Sequence, residues 1–180
     1  MVPRKYQENI NQMHKELKAI QNEDELDWKQ YNTWNKIKSA PKKVKRENWR
    51  KNVKVYYIEG PSGAGKTNKI EEIMEQEGVE DFEELKHIDG FWHGIVDGTG
   101  CAVYDDWRDS HMSASEFINF IDYRSHNLNV KGGGHRNNYS IILISSVQPL
   151  DSIYSGVSGE PREQWIRRIQ RIQILPPDIY

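Results

Sequence analysis

Gly60-Pro61-Ser62-Gly63-Ala64-Gly65-Lys66-Thr67 places glycines, a lysine and a threonine at the spacing G-x-x-x-x-G-K-[ST], the P-loop pattern. The chemistry this spacing suits is phosphate binding. Gly60, Gly63 and Gly65 are expected to adopt positive φ and to approach an anion closely, so that successive N–H groups converge on it. Lys66 brings a point charge to the β- and γ-phosphates, and the Thr67 hydroxyl can ligate Mg²⁺. A glycine-rich turn of no function is the plain alternative. Against it, Lys54-Val55-Tyr56-Tyr57-Ile58-Glu59 reads as a strand before the loop, and Asn68 to Gln76 reads as a helix after it, stopped by Gly78. The expectation is a nucleoside triphosphate held by Gly60, Pro61, Ser62, Gly63, Ala64, Gly65, Lys66, Thr67 and Asn68.

Two further strand ends could complete such a site. Cys101-Ala102-Val103-Tyr104 is an apolar run that ends in Asp105-Asp106. Asp105 is expected to hold Mg²⁺ through its water shell, and Asp106 to orient or deprotonate an attacking water. Tyr139-Ser140-Ile141-Ile142-Leu143-Ile144-Ser145-Ser146 is apolar enough to be buried on both faces, and it runs into Val147-Gln148-Pro149. Ser146 or Gln148 could sense the γ-phosphate there, or the strand could simply end in a polar cap.

The elements that must carry these groups follow from periodicity. From Val53 onward the order is strand, loop, helix, strand, helix, strand, which predicts an α/β domain with a mostly parallel sheet. Ser113-Ala114-Ser115-Glu116 is a capping-box signature, predicting a helix from Ala114 to Tyr123 buried through Phe117, Phe120 and Ile121. Phe91 and Trp92 are expected in the core, and Asp97-Gly98-Thr99-Gly100 in a turn. Before this domain, Tyr6, Ile10, Met13, Leu17 and Ile20 recur at alternating four and three spacing, predicting a helix with one apolar stripe. Its expected use is packing against Trp28 and Trp34 on a second helix over Asp24 to Lys38, with self-association through a short coiled-coil seam as the other possibility.

Composition sets the outer bounds. One cysteine in 180 residues excludes an intramolecular disulfide and fits a reducing compartment. No apolar run approaches membrane-spanning length, and the polar stretch Met1 to Lys15 carries no signal-peptide pattern. The net charge of -2 conceals a basic run from Lys29 to Lys54, with Trp28, Tyr31, Trp34 and Trp49 interleaved. That run reads equally as a nucleic-acid face or as a solvated linker. From Glu71 to Glu84 the sign reverses, and an exposed helix and turn with no partner is expected.

Several blocks in order give the chain a family likeness: Gly60 to Thr67; Gly90-Phe91-Trp92-His93-Gly94 before Val103-Tyr104-Asp105-Asp106; Val130-Lys131-Gly132-Gly133; Ile142 to Gln148; and Trp165-Ile166-Arg167-Arg168-Ile169. Over roughly Trp49 to Ile172 it resembles the superfamily 3 helicase (AAA+ ATPase) domain of replication-associated (Rep) proteins of circular single-stranded DNA viruses. The resemblance implies a P-loop NTPase fold with a central, mostly parallel sheet over 49–175. A small helical unit with a basic linker would precede it over 1–48, and a short tail would follow over 176–180. It implies ATP and Mg²⁺ as cofactors, single-stranded DNA and a homo-oligomeric ring, a hexamer, as partners, no membrane, and the host nucleus as location if the source is viral. Lys131, with His135 and Arg136, falls where the family places a pore-lining hairpin that grips DNA. Arg167 and Arg168 fall where it carries an arginine finger that completes a neighbouring subunit's site. Adjacent residues point in different directions, and Arg168 is the one preferred.

Two departures accompany the likeness. Val147 stands where many relatives end the sensor strand in Asn, which leaves Gln148 or Ser146 for that role. The family's paired-histidine nuclease motif has no counterpart, since His14, His87, His93, His111, His126 and His135 are scattered. The chain is accordingly expected to be a helicase portion of a longer protein or a relative without the nuclease. Two other classes stay open: a P-loop small-molecule or nucleotide kinase, and a non-catalytic module that binds ATP only to hold an assembly together.

Overall fold

The computed structural model describes residues 4–19, 26–40 and 42–176. The chain divides into two compact units, Met1–Lys42 with Gly132–Gly134, and Lys43–Lys131 with His135–Tyr180.

In the first unit, α1 (Arg4–Ala19) and α2 (Trp28–Ser39) pack on each other. Leu17 of the expected stripe is buried and Met13 is largely exposed, while Ile20 lies outside the described residues. Asp27 starts α2 by capping the N–H groups of Lys29 and Gln30, and the Gln30 side chain closes the box by accepting from the Asp27 N–H. The second helix therefore begins at Trp28 rather than at Asp24, which itself lies outside the described residues. Trp34 is buried and stacks on Tyr31, but Trp28 is 75% exposed, so the expected packing on Trp28 is corrected. At the first helical position Trp28 belongs to the capping turn and lies off the buried face.

The strands are β1 (Lys54–Glu59), β2 (Glu83–Glu84), β3 (Lys86–Ile88), β4 (Phe91–His93), β5 (Thr99–Tyr104), β6 (Asn127–Val130), β7 (Gly133–Arg136), β8 (Asn138–Ser146) and β9 (Ile169–Gln173), all in the second unit except Gly133 and Gly134 of β7. The helices of the second unit are α3 (Lys66–Gln76), α4 (Ala114–Ile121) and α5 (Glu160–Arg168). The central sheet has the order β2-β5-β8-β1-β9, with every pairing parallel. The α/β class expected from the alternation of elements is what the fold shows. β3 with β4 and β6 with β7 form two separate two-stranded ribbons.

Side-chain alternation divides the core into two layers. Val55 and Tyr57, Ala102 and Tyr104, Ile142 and Ile144 point to one face, where Trp92, Trp107, Phe117, Phe120, Tyr154 and Trp165 close over them. Ile58, Cys101, Val103 and Leu143 point to the other, where Ile70 and Ile73 of α3 cover them. Burial there pushes the Cys101 thiol up to about 11, so it behaves as a small apolar filler. β8 lies between β1 and β5, which explains its almost unbroken apolar sequence.

Several boundaries differ from those predicted. α3 starts two residues early, at Lys66, because Gly65 already serves as its N-cap. α4 ends at Ile121, since Asp122 turns to an extended conformation. The Ser113 hydroxyl accepts the Glu116 N–H as the capping signature implies, but the Glu116 carboxylate accepts from the Trp92 indole N–H. The Asp97 turn passes directly into β5, so Thr99 and Gly100 are strand residues. The acidic stretch is not without partners: Glu77 accepts from Lys54 and Tyr56, and Glu83 from Tyr139 and the Asp97 and Gly98 N–H groups.

Candidate functional site

The Gly60–Thr67 loop joins the C-terminal end of β1 to the N-terminus of α3, the end of a parallel sheet at which ligands gather. Gly63 and Gly65 take φ of 76° and 91°, conformations that side chains disfavour. Gly60 does not; the expectation of positive φ there is corrected. Glycine is needed at 60 for closeness, since a Cβ would meet the Ile174 carbonyl oxygen at 2.8 Å. No side chain caps α3, so its first N–H groups open on the loop. The Lys66 ammonium folds back over the loop and donates to the carbonyls of Gly60 (2.9 Å) and Pro61 (2.8 Å). Pro61, Ser62, Thr67 and Asn68 are exposed.

The acidic pair emerges at the same end of the sheet, one strand away. Register pairs Glu59 with Ser146 and Tyr104 with Ile144, so Gly60 and Asp105 leave the two parallel strands that flank the β8 terminus. Ser145 of β8 fixes the pair. Its hydroxyl donates to the Asp105 carboxylate and accepts the Asp106 N–H (2.9 Å), while its carbonyl accepts the Trp107 N–H (2.8 Å). Asp106 is held at a φ of 53°, a left-handed conformation retained where surroundings over-determine it. Its exposed carboxylate pairs with Arg108 at 3.1 Å.

Behind this turn lies a network that periodicity does not reveal. Lys86 donates to the Asp105 carbonyl and sits over the Tyr104 ring. The Tyr104 hydroxyl meets His111 Nδ1 at 3.0 Å, and the His87 N–H donates to the same hydroxyl. Burial, then Lys86 and Arg108, lower the His111 pKa, keeping the ring neutral so that Nδ1 can accept from the Arg108 N–H (3.3 Å).

Both sensor candidates have partners of their own. The Ser146 hydroxyl donates to the Trp107 carbonyl and accepts the Gln148 N–H. The Gln148 carboxamide accepts the Asp109 N–H and donates to the Asp109 carboxylate. The buried Glu59 carboxylate, just before the loop, takes both Nε and an Nη of Arg171, the Gln173 amide and the Leu150 N–H. This ties the end of β1 to β9. Nothing in the motif announces it.

The remaining predicted residues fall elsewhere. Lys131 and Gly132 form the turn between β6 and β7; Lys131 is exposed and Gly132 takes a φ of 87°. Arg136 turns inward, donating to the Ser125 hydroxyl and carbonyl, and His135 lies near enough to Asp97 to stabilise its charge. Arg167 is exposed and pairs with Glu160, whereas Arg168 is 12% exposed and pairs with Asp122 at 3.1 Å. The residues brought together are thus the Gly60–Thr67 loop, Asp105 and Asp106, with Ser145 and Arg108 as members that spacing did not single out. A basic residue two positions after the acidic pair was the one available signal for Arg108.

Among the described residues, no group of three or more His, Cys, Asp or Glu could hold a metal alone. A Mg²⁺ ion needs less from the protein, since it is usually bound by one or two carboxylates with phosphates and water. The exposed Thr67 hydroxyl and the Asp105 carboxylate fit that role. No helix among the described residues is long and apolar enough to cross a membrane. No protein-family model and no curated protein matches the sequence.

Proposed function

We propose that the chain is an ATP hydrolase of the P-loop class, acting as a ring-forming superfamily 3 DNA helicase domain like those of replication-associated viral proteins. The observation that carries the reading is the Gly60–Thr67 loop. Positive φ at Gly63 and Gly65, an uncapped α3 N-terminus and the Lys66 ammonium converge there, one strand from Asp105 and Asp106.

In this reading the loop N–H groups and Lys66 bind the triphosphate. Lys66 would exchange its two carbonyl partners for phosphate oxygens. Thr67 and Asp105 would hold Mg²⁺, which when bound neutralises charge on the phosphates. Ser145 orients Asp105, and Arg108 orients Asp106. The Asp106 carboxylate accepts the proton of a water whose oxygen bonds to the γ-phosphorus as the bond to the β–γ bridging oxygen breaks, giving ADP and phosphate. With Arg168 engaged by Asp122, Arg167 is the arginine available to a neighbouring subunit. Lys131 at the hairpin turn is the cation offered to single-stranded DNA.

Thermal denaturation with and without Mg²⁺ and ATP tests the site. A ligand that binds only the folded state raises the midpoint, and Lys66→Ala should abolish that rise. Equal rises in both proteins would remove the loop from the account.

A further inference from the structure

Outside that site, one surface of the second unit alternates aromatic rings and guanidinium groups. Arg124 lies 5.8 Å from the Trp49 ring and 5.5 Å from the Tyr123 ring, and Arg168 also lies 5.4 Å from the Tyr123 ring. Trp49 is 46% exposed and Tyr123 42%, so each ring keeps area open to solvent. The backbone fixes this spacing, because the Lys51 N–H donates to the Tyr123 carbonyl and the Ser125 N–H to the Trp49 carbonyl, both at 2.8 Å.

Charge on this surface is unbalanced. A single buried carboxylate, Asp122, faces Arg124, His126 and Arg168 as direct partners and Lys51 at longer range. Arg50 is exposed and makes no ion pair among the described residues, yet an isolated antiparallel bridge sets it opposite Arg124. Like charges directly opposite each other across strands destabilise a fold. Asp122 already accounts for Arg124, which pairs with it at 3.0 Å, but nothing among the described residues offsets the Arg50 charge, and an anionic partner would. The segment leading in, from Lys43 through Asn48, is exposed throughout and carries Lys43, Lys45 and Arg46, with Glu47 lying 4.0 Å from Lys45.

We propose that Trp49, Arg50, Tyr123 and Arg124 form a binding surface for single-stranded DNA, separate from the Lys131 turn. Bases stack on Trp49 and Tyr123, and phosphates contact Arg50 and Arg124. Exposed rings interleaved with cations bind single strands because every base has a π face and every nucleotide a phosphate. The choice of DNA over RNA rests on the helicase reading; the surface itself does not require ATP.

Fluorescence anisotropy of the full chain with a labelled oligothymidylate of about 20 nucleotides, without nucleotide cofactor, tests this. Trp49→Ala with Tyr123→Ala should weaken binding about tenfold or more. Trp49→Phe with Tyr123→Phe should stay within about threefold of wild type, since rings remain to stack, and this pair also guards against a folding artefact. Arg50→Ala should reduce the slope of log affinity against log salt by about one. Wild-type affinity in the alanine pair, or an equal loss in the phenylalanine pair, would overturn the proposal. Lys131→Ala separates the two DNA readings: loss there with the alanine pair unaffected would sink this surface and keep the turn, and the reverse would keep this surface alone. No binding by the unaltered chain would sink both. Tighter binding of oligouridylate or of duplex DNA would overturn the assignment to single-stranded DNA.

Discussion

The Ser145 hydroxyl donates to the Asp105 carboxylate, so the last residues of β8 aim the acid that follows β5. The same oxygen accepts the Asp106 N–H at 2.9 Å. Ser145→Ala should cost about 0.5–1.5 kcal/mol of stability, because the part-buried Asp106 N–H loses its partner. It should lower kcat for ATP hydrolysis about tenfold to a hundredfold with KM nearly unchanged, as displacement of a reacting group does. Urea denaturation and steady-state kinetics on one preparation would check both; unaltered kcat would detach Ser145 from the chemistry.

Arg167 and Arg168 should separate into different roles. Arg168 is nearly buried against Asp122, and its removal should destabilise the fold by about 2–4 kcal/mol, the remaining Arg124 and His126 partners limiting the loss. Arg167→Ala touches only an exposed pair with Glu160 and should change stability by less than about 0.5 kcal/mol. If Arg167 completes a neighbour's site, its alanine variant should hydrolyse ATP slowly even when assembled. Thermal denaturation with turnover measured on assembled protein distinguishes the two, and normal turnover by Arg167→Ala would end that role.

Gly60→Ala and Gly65→Ala should fail for different reasons. At 60 the new Cβ meets the Ile174 carbonyl, which cannot easily retreat because the Ile174 N–H is bonded to the Glu59 carbonyl at 2.8 Å. A cost of about 1–3 kcal/mol is expected, with β9 displaced. At 65 there is open space, and only the φ of 91° opposes a side chain, about 1–2 kcal/mol. Hydrogen exchange should therefore show faster exchange in β9 for Gly60→Ala and not for Gly65→Ala; matching profiles would contradict the contact.

Lys51 gives the fold a rise in stability above neutrality. Burial, opposed by the attraction of Asp122, brings its ammonium down to about 7. The unfolded chain, with an ordinary lysine pKa of about 10.4, binds more protons between those values, so stability increases with pH across that window. The gain should be on the order of a few kcal/mol between about pH 7 and 10 and should vanish in Lys51→Met. Parallel stability curves for the two proteins would refute the assignment.

Local signals carried much of this architecture. The apolar runs around Val55, Ala102 and Ile142 became the central strands, and Ser113 capped α4 as its spacing implies. The glycines before Lys66 did mark a loop between strand and helix. What spacing could not reveal is pairing between residues distant in the chain. Asp122 with Arg168, Glu59 with Arg171 and Ser145 with Asp105 depend on strand order, which no local pattern encodes. Arg168 illustrates the consequence: the family likeness made it the preferred finger, and tertiary structure engages it with Asp122. Trp28 errs the other way, since an aromatic near an apolar stripe reads as core until the cap at Asp27 fixes its place on the first turn.

The most direct test of the central claim is steady-state ATP hydrolysis by the whole chain with Mg²⁺, with and without single-stranded DNA, using Lys66→Ala as the blank. Hydrolysis should rise with the strand and fall to background in the variant. Equal rates in the two proteins, or none in either, would contradict that claim.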